Sequence, residues 1–427
     1  MSDNFKEASF GNIDFEKQYS SAYFVRLETF RAAVMESARQ RWVDSGRIPE
    51  KQLVGHVKSY KSGEGDVALI GVIFKEMTLK PNVLTDLHTS LNLADQQLMD
   101  PCNAGSCARK LAESDTVFIE DMEARMQLIF ASKSVADTFP TGIIMSVLGR
   151  VNAQGFFDVS DYVLPQCSIP VSLIPIPNEP VYIALVSGLQ IGSPKSNPLY
   201  LQLLRDFLMG RCATEQAVNI VRVLVAGDTL FYQSKTDPQG TALHEADIFL
   251  AQLASVMPID IMAGGRDPTN YCLPQQPLHS GLFPEARRFA NLNVKSNPYK
   301  MKLGDMVMLG TSGQNVIDVL QYTNLSTGLD ALELIANSRH LAPTAPDTLA
   351  CYPFTTTDPL IISDSFGGFP HLVFAGNQAQ TASKFIEGTN VRIATVADFS
   401  LSASILLVNI NNADDVRVIE FSVPDMM

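Results

Sequence analysis

The sequence lacks the long apolar runs that mark membrane-spanning proteins. No stretch of its 427 residues reaches the roughly 20 uninterrupted apolar residues that a membrane helix needs. The most apolar region, residues 168–192, is interrupted by four prolines. The N-terminus is polar and charged, a composition that secretory signals do not have. The sequence therefore predicts a protein that neither spans a membrane nor enters the secretory route.

Positive charge is also scarce. The chain has 32 Lys and Arg residues against 45 Asp and Glu residues, which gives a formal net charge of −13. No cluster of Lys and Arg resembles a nuclear import signal. Proteins that grip duplex DNA with their own surface usually carry a basic face. The acidity predicts that DNA is bound weakly or not at all, and it favours contacts with other proteins.

Cysteine and histidine show no metal-binding pattern. The six cysteines are scattered along the chain and are expected to be reduced thiols of an intracellular protein. Cys102 and Cys107 have the spacing of half a zinc site, but no second pair follows and the nearest histidine is His88; a loop with two free thiols is the alternative. The sequence predicts neither a metal nor a cofactor. The histidines, expected to be packed or surface residues, are His56, His88, His244, His279, His340 and His371.

Length and composition indicate several folded domains. Apolar residues make up 46% of the chain and charged residues 18%, as in globular rather than disordered proteins. Residues 1–20 are polar and are predicted to be flexible. Residues 21–45 are predicted to form a docking helix, because apolar side chains recur there at the helical period. This stripe consists of Tyr23, Leu27, Phe30, Val34, Ala38 and Trp42.

Residues 46–165 are predicted to form an OB-fold-like β-barrel. Short segments there are rich in β-branched and aromatic residues, and residues 152–155 have the composition of a turn. Several short antiparallel strands in a segment of this length suit a small barrel. The polar stretch 91–111 is expected to be a long loop within it. The expected strands are 67–74, 116–120, 126–130, 142–151 and 156–163.

A proline-rich linker is expected at residues 166–180, and residues 181–427 then alternate strands with helices. Helices are expected at 198–209 and 241–256. This alternation predicts an α/β layered domain with a β-rich later half, and the fold class is therefore mixed α and β. The expected strands are 181–186, 220–226, 259–262, 306–309, 371–375, 391–396, 405–410 and 416–421.

Four strand ends in this second part carry glycine together with polar residues, at 186–190, 226–231, 262–270 and 374–379. Sites in α/β domains usually form where strands end. Walker A and dinucleotide-binding motifs are absent from the sequence. Residues 310–314 approach a nucleophile elbow, but Gln314 stands where that motif needs glycine, so a strand-to-helix turn is expected.

The four strand ends resemble the motifs of the calcineurin-like metallophosphoesterases. In that family, Asp, Asn and His side chains hold two metal ions that activate water and neutralise phosphate. Almost every ligand position is occupied here by another residue, so the resemblance implies an inactive phosphoesterase-like domain. The matching positions are Gly188, Gln190, Asp228, Phe231, Gly265, Arg266, Asp267, Asn377 and Ala379.

Two of these positions carry charge that bears on a metal site. Asp228 keeps a ligand-type side chain, but one carboxylate cannot hold a binuclear centre. The alternative for Asp228 is a carboxylate bonded to a turn or to a helix N-terminus. Arg266 would bring a permanent cation into the place of a dication.

Inactive phosphoesterase motifs that follow an OB-like segment resemble the B subunits of replicative DNA polymerases. Segments 266–279, 309–315, 340–347 and 351–354 resemble signatures of the second subunits of delta polymerases, and the likeness extends from about residue 23 to about residue 422. The first signature contains Asp267, Pro268, Thr269, Asn270, Tyr271, Leu273, Pro274, Gln275, Gln276, Pro277 and His279.

This resemblance implies a nuclear, non-catalytic scaffold subunit that acts in DNA replication and repair. It implies binding to the cysteine-rich C-terminal domain of the catalytic subunit of DNA polymerase delta and to the third subunit, through which the sliding clamp is reached indirectly. The alternative is an active phosphoesterase or nuclease of the kind found among archaeal polymerase small subunits, which would need the missing ligands.

Two questions stay open at the level of sequence. The proline-rich segment 267–279 is stiff, and it could be a structural loop or part of an interface. Single-stranded DNA binding by the barrel would need exposed aromatic residues beside Lys or Arg. Lys58, Lys61 and the Phe74–Lys75 pair are present, but acidic residues intervene.

Overall fold

The computed structural model describes residues 18–57, 65–80, 109–173, 180–212, 219–231, 240–354, 357–364 and 368–422. Most of the predicted flexible segment 1–20 and most of the predicted loop 91–111 lie outside these residues, as do Cys102 and Cys107. The four described cysteines are free thiols. In the described parts of the chain, no helix combines the length and the apolar character needed to cross a membrane.

One long helix, α1, begins the described chain. It spans Ser20–Ala38 and continues as a π-helical turn over Arg39–Val43. The apolar stripe buries Leu27, Phe30 and Val34 against strands of the first sheet. The helix therefore lies along the outside of that sheet.

In the described part of the N-terminal half, six short strands and one short helix follow α1. They are β1 Leu53–Val54, β2 Val67–Glu76, β3 Thr116–Glu120, β4 Arg125–Ile129, α2 Lys133–Ala136, β5 Ile144–Val151 and β6 Phe157–Val163. The strand order is β1–β2–β3–β4–β6–β5, and β2 also pairs with β5, which closes the sheet into a barrel.

Closure of the barrel depends on one parallel pairing. Strands β4 and β6 run parallel, with Leu128 opposite Phe157, while the other pairings of the ring are antiparallel. This is the five-stranded Greek-key arrangement of an OB-fold. Leu69 and Ile73 on alternate positions of β2 fill the interior. The small barrel expected from the sequence is confirmed.

The C-terminal half contains two more sheets. The first consists of β7 Tyr182–Val186, β8 Ile220–Ala226, β9 Ile259–Met262, β10 Leu292–Lys295, β16 Ser404–Asn409 and β17 Val416–Glu420, in the order β10–β9–β8–β7–β16–β17. The second consists of β11 Tyr299–Leu303, β12 Met306–Thr311, β13 Leu372–Gln378, β14 Ala382–Phe385 and β15 Arg392–Ala397, in the order β11–β12–β13–β15–β14. Strands β7 to β10 are parallel to one another, as are β12, β13 and β15.

Helices cover the outer faces of these two sheets. Those in the described residues are α3 Pro198–Leu208, α4 Thr241–Ala254, α5 Gln314–Gln321, α6 Gly328–Asn337 and the short α7 Phe399–Ser402, with 3₁₀ turns at Ser280–Leu282 and Ala286–Arg288. Another 3₁₀ turn, Glu50–Gln52, directly precedes β1 in the barrel half. Helices α3 and α4 pack on the six-stranded sheet, and α5 and α6 pack on the five-stranded sheet. Between the sheets lies an apolar layer that includes Met262, Met308 and Phe374. The result is a helix–sheet–sheet–helix stack.

The structure has more helix after residue 310 than the sequence analysis predicts. Helix α6 was not predicted, nor were strands β10, β11 and β14. Helix α5 follows the strand-to-helix turn that is expected at residues 310–314, but its bounds were not predicted. Helix α6 begins with a capping box in which Thr327 and Asp330 bond each other's backbone N–H groups. Strand β11 forms a hairpin with β12 across Gly304, so its alternating side chains belong to a sheet rather than to a loop.

The barrel and the layered half share one apolar core. Phe139 and Val147 from the barrel half belong to the same buried cluster as Val316 of α5 and Leu332 of α6. At this junction an added Cβ on Gly142 would lie only 1.9 Å from the carbonyl oxygen of Pro343. The two halves are therefore in direct backbone contact.

Candidate functional site

Strands from both C-terminal sheets end at one place. Gly188 follows β7, Asp228 follows β8, Arg266 lies beyond β9, Asn377 lies near the end of β13, and Asp398 follows β15. The carboxyl ends of parallel strands are the usual location of sites in α/β folds. The Ser187 hydroxyl joins the two sheets here, donating to the Ala397 carbonyl oxygen at 2.9 Å and accepting from the Asn377 backbone N–H at 2.9 Å.

An arginine lies between two carboxylates at the centre of this site. The Arg266 Nη1 atom is 3.0 Å from Asp398 Oδ2 and 3.4 Å from Asp228 Oδ2. The side chains of Arg266, Asp398 and Asp228 are 9%, 5% and 1% exposed, respectively. Asp228 Oδ1 also accepts the Arg266 backbone N–H at 2.8 Å. This last contact is the kind expected from the alternative interpretation of Asp228, in which its carboxylate bonds the backbone of a turn.

Both oxygens of Asp398 make further hydrogen bonds. Its Oδ1 accepts the backbone N–H and the hydroxyl of Ser400, at 3.0 and 2.6 Å, at the start of α7. Its Oδ2 accepts a short hydrogen bond from the Gln190 side-chain amide. Asp398 therefore fixes the segment after β7, the segment after β9 and the start of α7 relative to one another.

Asp267 has a different role from Asp228, although it is also buried. Its carboxylate accepts the backbone N–H groups of Leu230 and Gly264, both at 2.9 Å. These bonds join the segments that follow β8 and β9. Asp267 is thus used to hold the backbone of the site.

Several residues of the site have left-handed backbone conformations. Gln190, Asp228 and Asn377 have φ values of 43°, 54° and 53°, a region that non-glycine residues rarely adopt. Gly188 has a φ of 64°, and an added Cβ there would lie 2.7 Å from the Asp398 carboxylate. Strained backbone of this kind clusters at sites where side chains must be aimed at one point.

Burial raises the pKa of two carboxyl groups of the site, those of Asp228 and Asp267. Burial, and next the Asp267 carboxylate, raise the pKa of Asp228 to about 7 against the opposing effect of Arg266. Burial also raises the pKa of Asp267 to about 6, while the N–H groups of Leu230 and Gly264 act in the opposite direction. The guanidinium of Arg266 is the positive charge that opposes proton uptake by Asp228.

The structure brings together some of the predicted motif positions and separates others. Gly188, Gln190, Asp228, Arg266 and Asn377 converge, as described above. Ala379 lies beyond the end of β13 and is exposed. Phe231 lies farther along the segment that follows β8 than Asp228 does. Its backbone N–H donates to the Ile191 carbonyl oxygen at 3.0 Å. Gly265 is half-buried in the turn beside Arg266.

Sequence reasoning missed Asp398, which lies closer to the Arg266 Nη1 atom than Asp228 Oδ2 does, at 3.0 against 3.4 Å. The signal that could have identified it is its position directly after a buried β-branched strand, β15, at the same edge as the other motif segments. Ser187 was also missed as a link between the sheets.

These residues do not fit a binuclear metal centre. Arg266 places its own cation between Asp228 and Asp398, and its charge cannot be removed at ordinary pH. No group of three or more His, Cys, Asp or Glu residues is placed to hold a metal ion in the part of the chain that the structure describes. The chemistry available to this arrangement is internal charge pairing.

The signature segment after Arg266 is held by its own polar side chains. The Gln275 amide donates to the carbonyl oxygens of Gly264 and Asn270, at 3.2 and 2.9 Å, and its Oε1 accepts from Asn297 at 2.7 Å. The Asn270 Oδ1 atom accepts the Gln276 backbone N–H at 2.7 Å. In contrast, Tyr271 at the tip is 61% exposed. The segment is a rigid loop that presents an aromatic side chain to solvent.

Family models match both halves of the chain. A model described as the OB-fold domain of a DNA polymerase delta subunit matches residues 18–162, which contain α1 and nearly all of the barrel. A model described as the B subunit of DNA polymerases alpha and epsilon matches residues 183–384, which contain most of the two later sheets.

Individual relatives match over almost the whole length. A protein named DNA polymerase delta small subunit from Oryza sativa subsp. japonica is 32% identical, over 96% of this chain and 96% of the relative. A protein of the same name from Arabidopsis thaliana is 33% identical, over 93% of this chain and 90% of the relative. DNA polymerase delta subunit 2 of Drosophila melanogaster is 32% identical, over 96% of this chain and 94% of the relative. This chain belongs to the family of DNA polymerase delta small subunits.

Proposed function

We propose that this chain is a non-catalytic accessory subunit of a DNA polymerase delta holoenzyme, which acts in the nucleus in DNA replication and repair. The observation that carries the proposal is the similarity, over 96% of the chain, to a relative named DNA polymerase delta small subunit. The acidic composition supports a role in contacts between proteins, because a subunit that held DNA directly would usually carry a basic face.

Its action in the holoenzyme is to bridge two other subunits. One surface, which includes part of the layered half, binds the cysteine-rich C-terminal domain of the catalytic subunit. A second surface, on the barrel side, binds the third subunit, and the sliding clamp is reached through that subunit. The shared core of the two halves supports this role, because a bridge transmits position only if its parts do not move independently.

A catalytic role as a phosphoesterase or nuclease is not favoured. The site that resembles a phosphoesterase contains Arg266 paired with Asp398 at 3.0 Å, and a cation already lies where metal ions would bind. The purified chain should hold no stoichiometric Mn, Fe or Zn and should not hydrolyse a phosphodiester or phosphomonoester model substrate. Two bound ions per chain, with hydrolysis abolished by Asp228→Ala, would establish the alternative.

Direct binding of single-stranded DNA by the barrel also has little support. The Lys75 side chain is buried and donates to Asp137 at 2.8 Å, so it does not face solvent. Arg125 covers the rings of Phe74 and Phe118, at 4.6 and 3.8 Å from their centres, and pairs with Glu76. Lys58 and Lys61 lie outside the described residues.

Binding to each partner separately tests this proposal. The full chain is mixed with the C-terminal domain of the catalytic subunit, or with the third subunit, and analysed by size-exclusion chromatography. We expect co-elution with each partner at micromolar concentration. A chain that elutes alone as a well-behaved monomer in both mixtures would contradict the proposal.

A further inference from the structure

We propose that the Arg266 guanidinium is a resident structural cation, and that its removal converts the pocket into a site that binds a divalent cation. The pocket is therefore a charge-balanced joint between segments of the chain.

The positions of the charges carry this inference. The Arg266 side chain lies 3.0 Å from Asp398 Oδ2 and 3.4 Å from Asp228 Oδ2, and all three side chains are at least 91% buried. A buried carboxylate needs a counter-charge or several hydrogen-bond donors. With the guanidinium removed, Asp228 would keep only its bond from the residue 266 backbone N–H among those described.

Two buried oxygen atoms point to a site shaped for a cation. Asp228 Oδ2 and Asn377 Oδ1 accept no hydrogen bond within the described residues, although their residues are 0% and 2% exposed. Gly188 lies beside both the Asn377 oxygen and the Asp398 carboxylate, since an added Cβ would lie 2.9 and 2.7 Å from them. Carboxylate and amide oxygens are ligands that Mg²⁺ and Mn²⁺ accept.

The joint connects segments that are distant in sequence. Asp228 follows β8, Arg266 lies beyond β9, and Asp398 lies between β15 and α7. Arg266 and Asp398 also lie at the edges of different sheets, because β9 is in the six-stranded sheet of this half and β15 is in the five-stranded sheet. One cation at this point therefore holds the carboxyl edges of both sheets together.

The experiment measures thermal unfolding of the full chain in EDTA and in millimolar MnCl₂. Arg266→Ala should lower the Tm in EDTA by about 5 °C or more, because it leaves buried carboxylates without their counter-charge. Mn²⁺ should then raise the Tm of this variant in a concentration-dependent manner, since a ligand that binds only the folded state stabilises it. The wild-type chain should show no response to Mn²⁺.

A matched control removes another buried arginine. Arg222 Nη1 lies 2.6 Å from Asp260 Oδ1, and the Asp260 side chain is 0% exposed. Arg222→Ala should also lower the Tm, but Mn²⁺ should not restore it, because Asn293 and Tyr299 already donate to the two Asp260 oxygens, at 3.1 and 3.3 Å. A Mn²⁺ response of equal size in Arg222→Ala would show that the effect is not specific to the pocket and would overturn the inference.

A second variant keeps the test decisive if Arg266→Ala does not fold. Arg266→Met combined with Asp228→Asn removes one charge of each sign while keeping the volume of the pocket filled. The Tm of this double variant should be higher than that of Arg266→Met alone and should regain most of the difference from the wild type. The inference is overturned if the wild type binds Mn²⁺, if Arg266→Ala is as stable as the wild type, if that variant ignores Mn²⁺, or if the double variant recovers nothing.

Discussion

Arg26 and Asp358 form a buried ion pair that joins α1 to the layered half of the molecule. The Arg26 Nε atom donates to Asp358 Oδ2 at 3.1 Å, and the two side chains are 1% and 0% exposed. The same guanidinium donates to the carbonyl oxygens of Pro343 and Ala345, at 3.1 and 3.0 Å. Helix α1 packs on the barrel, so this side chain ties three parts of the chain together.

Loss of this pair should destabilise the whole protein. Arg26→Met should reduce the free energy of unfolding by about 3 to 5 kcal/mol, because Asp358 would remain charged and buried. Equilibrium unfolding in urea measures the change. Arg41→Met is the control, since Arg41 pairs with Asp161 but is 53% exposed. That control should change stability by less than about 1 kcal/mol; equal losses in both variants would refute the role assigned to Arg26.

The same cluster should make stability depend on pH. Burial, and next the charge of Arg26, lower the pKa of His340, whose Nδ1 accepts the Ala342 backbone N–H while its Nε2 lies 2.8 Å from Asp358. The unfolded chain takes up this proton more readily than the folded chain, so stability is lost as pH falls below about 6.5. Burial alone would raise the pKa of Asp358, but His340 and Arg26 lower it well below its usual range. Its contribution is present above about pH 4 and is lost as pH falls further.

Urea unfolding between pH 8 and pH 5 tests the histidine part of this prediction. His340→Gln should flatten the fall in stability between about pH 6.5 and pH 5. His244→Gln, a change at an exposed side chain, is the matched control for the loss of an imidazole. A profile that stays as steep in His340→Gln as in the wild type would show that other groups cause the loss.

The contact between barrel and layered half should be sensitive to a single methyl group. Gly142 has a φ of 93°, and a Cβ there would meet the Pro343 carbonyl oxygen at 1.9 Å. Gly155 has a similar φ of 86°, but nothing lies within 4 Å of an added Cβ. Gly155→Ala should therefore lower the free energy of unfolding by about 1 kcal/mol, which is the cost of the backbone strain alone. Gly142→Ala should lower it by several kcal/mol more. Thermal and urea unfolding would measure both, and equal costs would mean that the two halves can separate locally without penalty.

The signature loop should divide into a structural part and an exposed part. Gln275→Ala should lower the free energy of unfolding by at least about 2 kcal/mol, because it removes the hydrogen bonds to the carbonyl oxygens of Gly264 and Asn270 and one of those made by the buried Asn297 amide. Tyr271→Ala should change stability by less than about 1 kcal/mol, because the side chain is 61% exposed. Comparable losses in both variants would contradict this division. The affinity of Tyr271→Ala for the catalytic subunit then decides whether this loop is part of an interface. If it is, the loss of an aromatic hot spot should weaken the binding free energy by about 2 kcal/mol or more.

Local signals in the sequence were sufficient for much of the fold. The expected strands 116–120 and 220–226 coincide with β3 and β8, because runs of β-branched residues bounded by turns carry their own signal. The four motif segments meet because parallel strands end at the same edge. Helix α6 was missed even though Thr327 and Asp330 form a recognisable capping box.

The rest of the site depends on contacts that no local pattern contains. Arg266 and Asp398 are 132 residues apart, and neither neighbourhood indicates the other. The close approach of Gly142 to Pro343 cannot be predicted from the sequence either. A single glycine is compatible with many local structures, and nothing near it indicates which backbone it contacts. The pairing of long-range charges and backbones is decided by the packing of whole sheets.

The measurement that tests the bridging claim most directly is the mass of a three-component mixture. The C-terminal domain of the catalytic subunit and the third subunit are analysed by sedimentation velocity, with and without this chain. We predict a complex containing one copy of each when the chain is present, and no association between the other two when it is absent. The account is contradicted if the catalytic subunit and the third subunit associate equally well without this chain and their complex gains no mass when it is added.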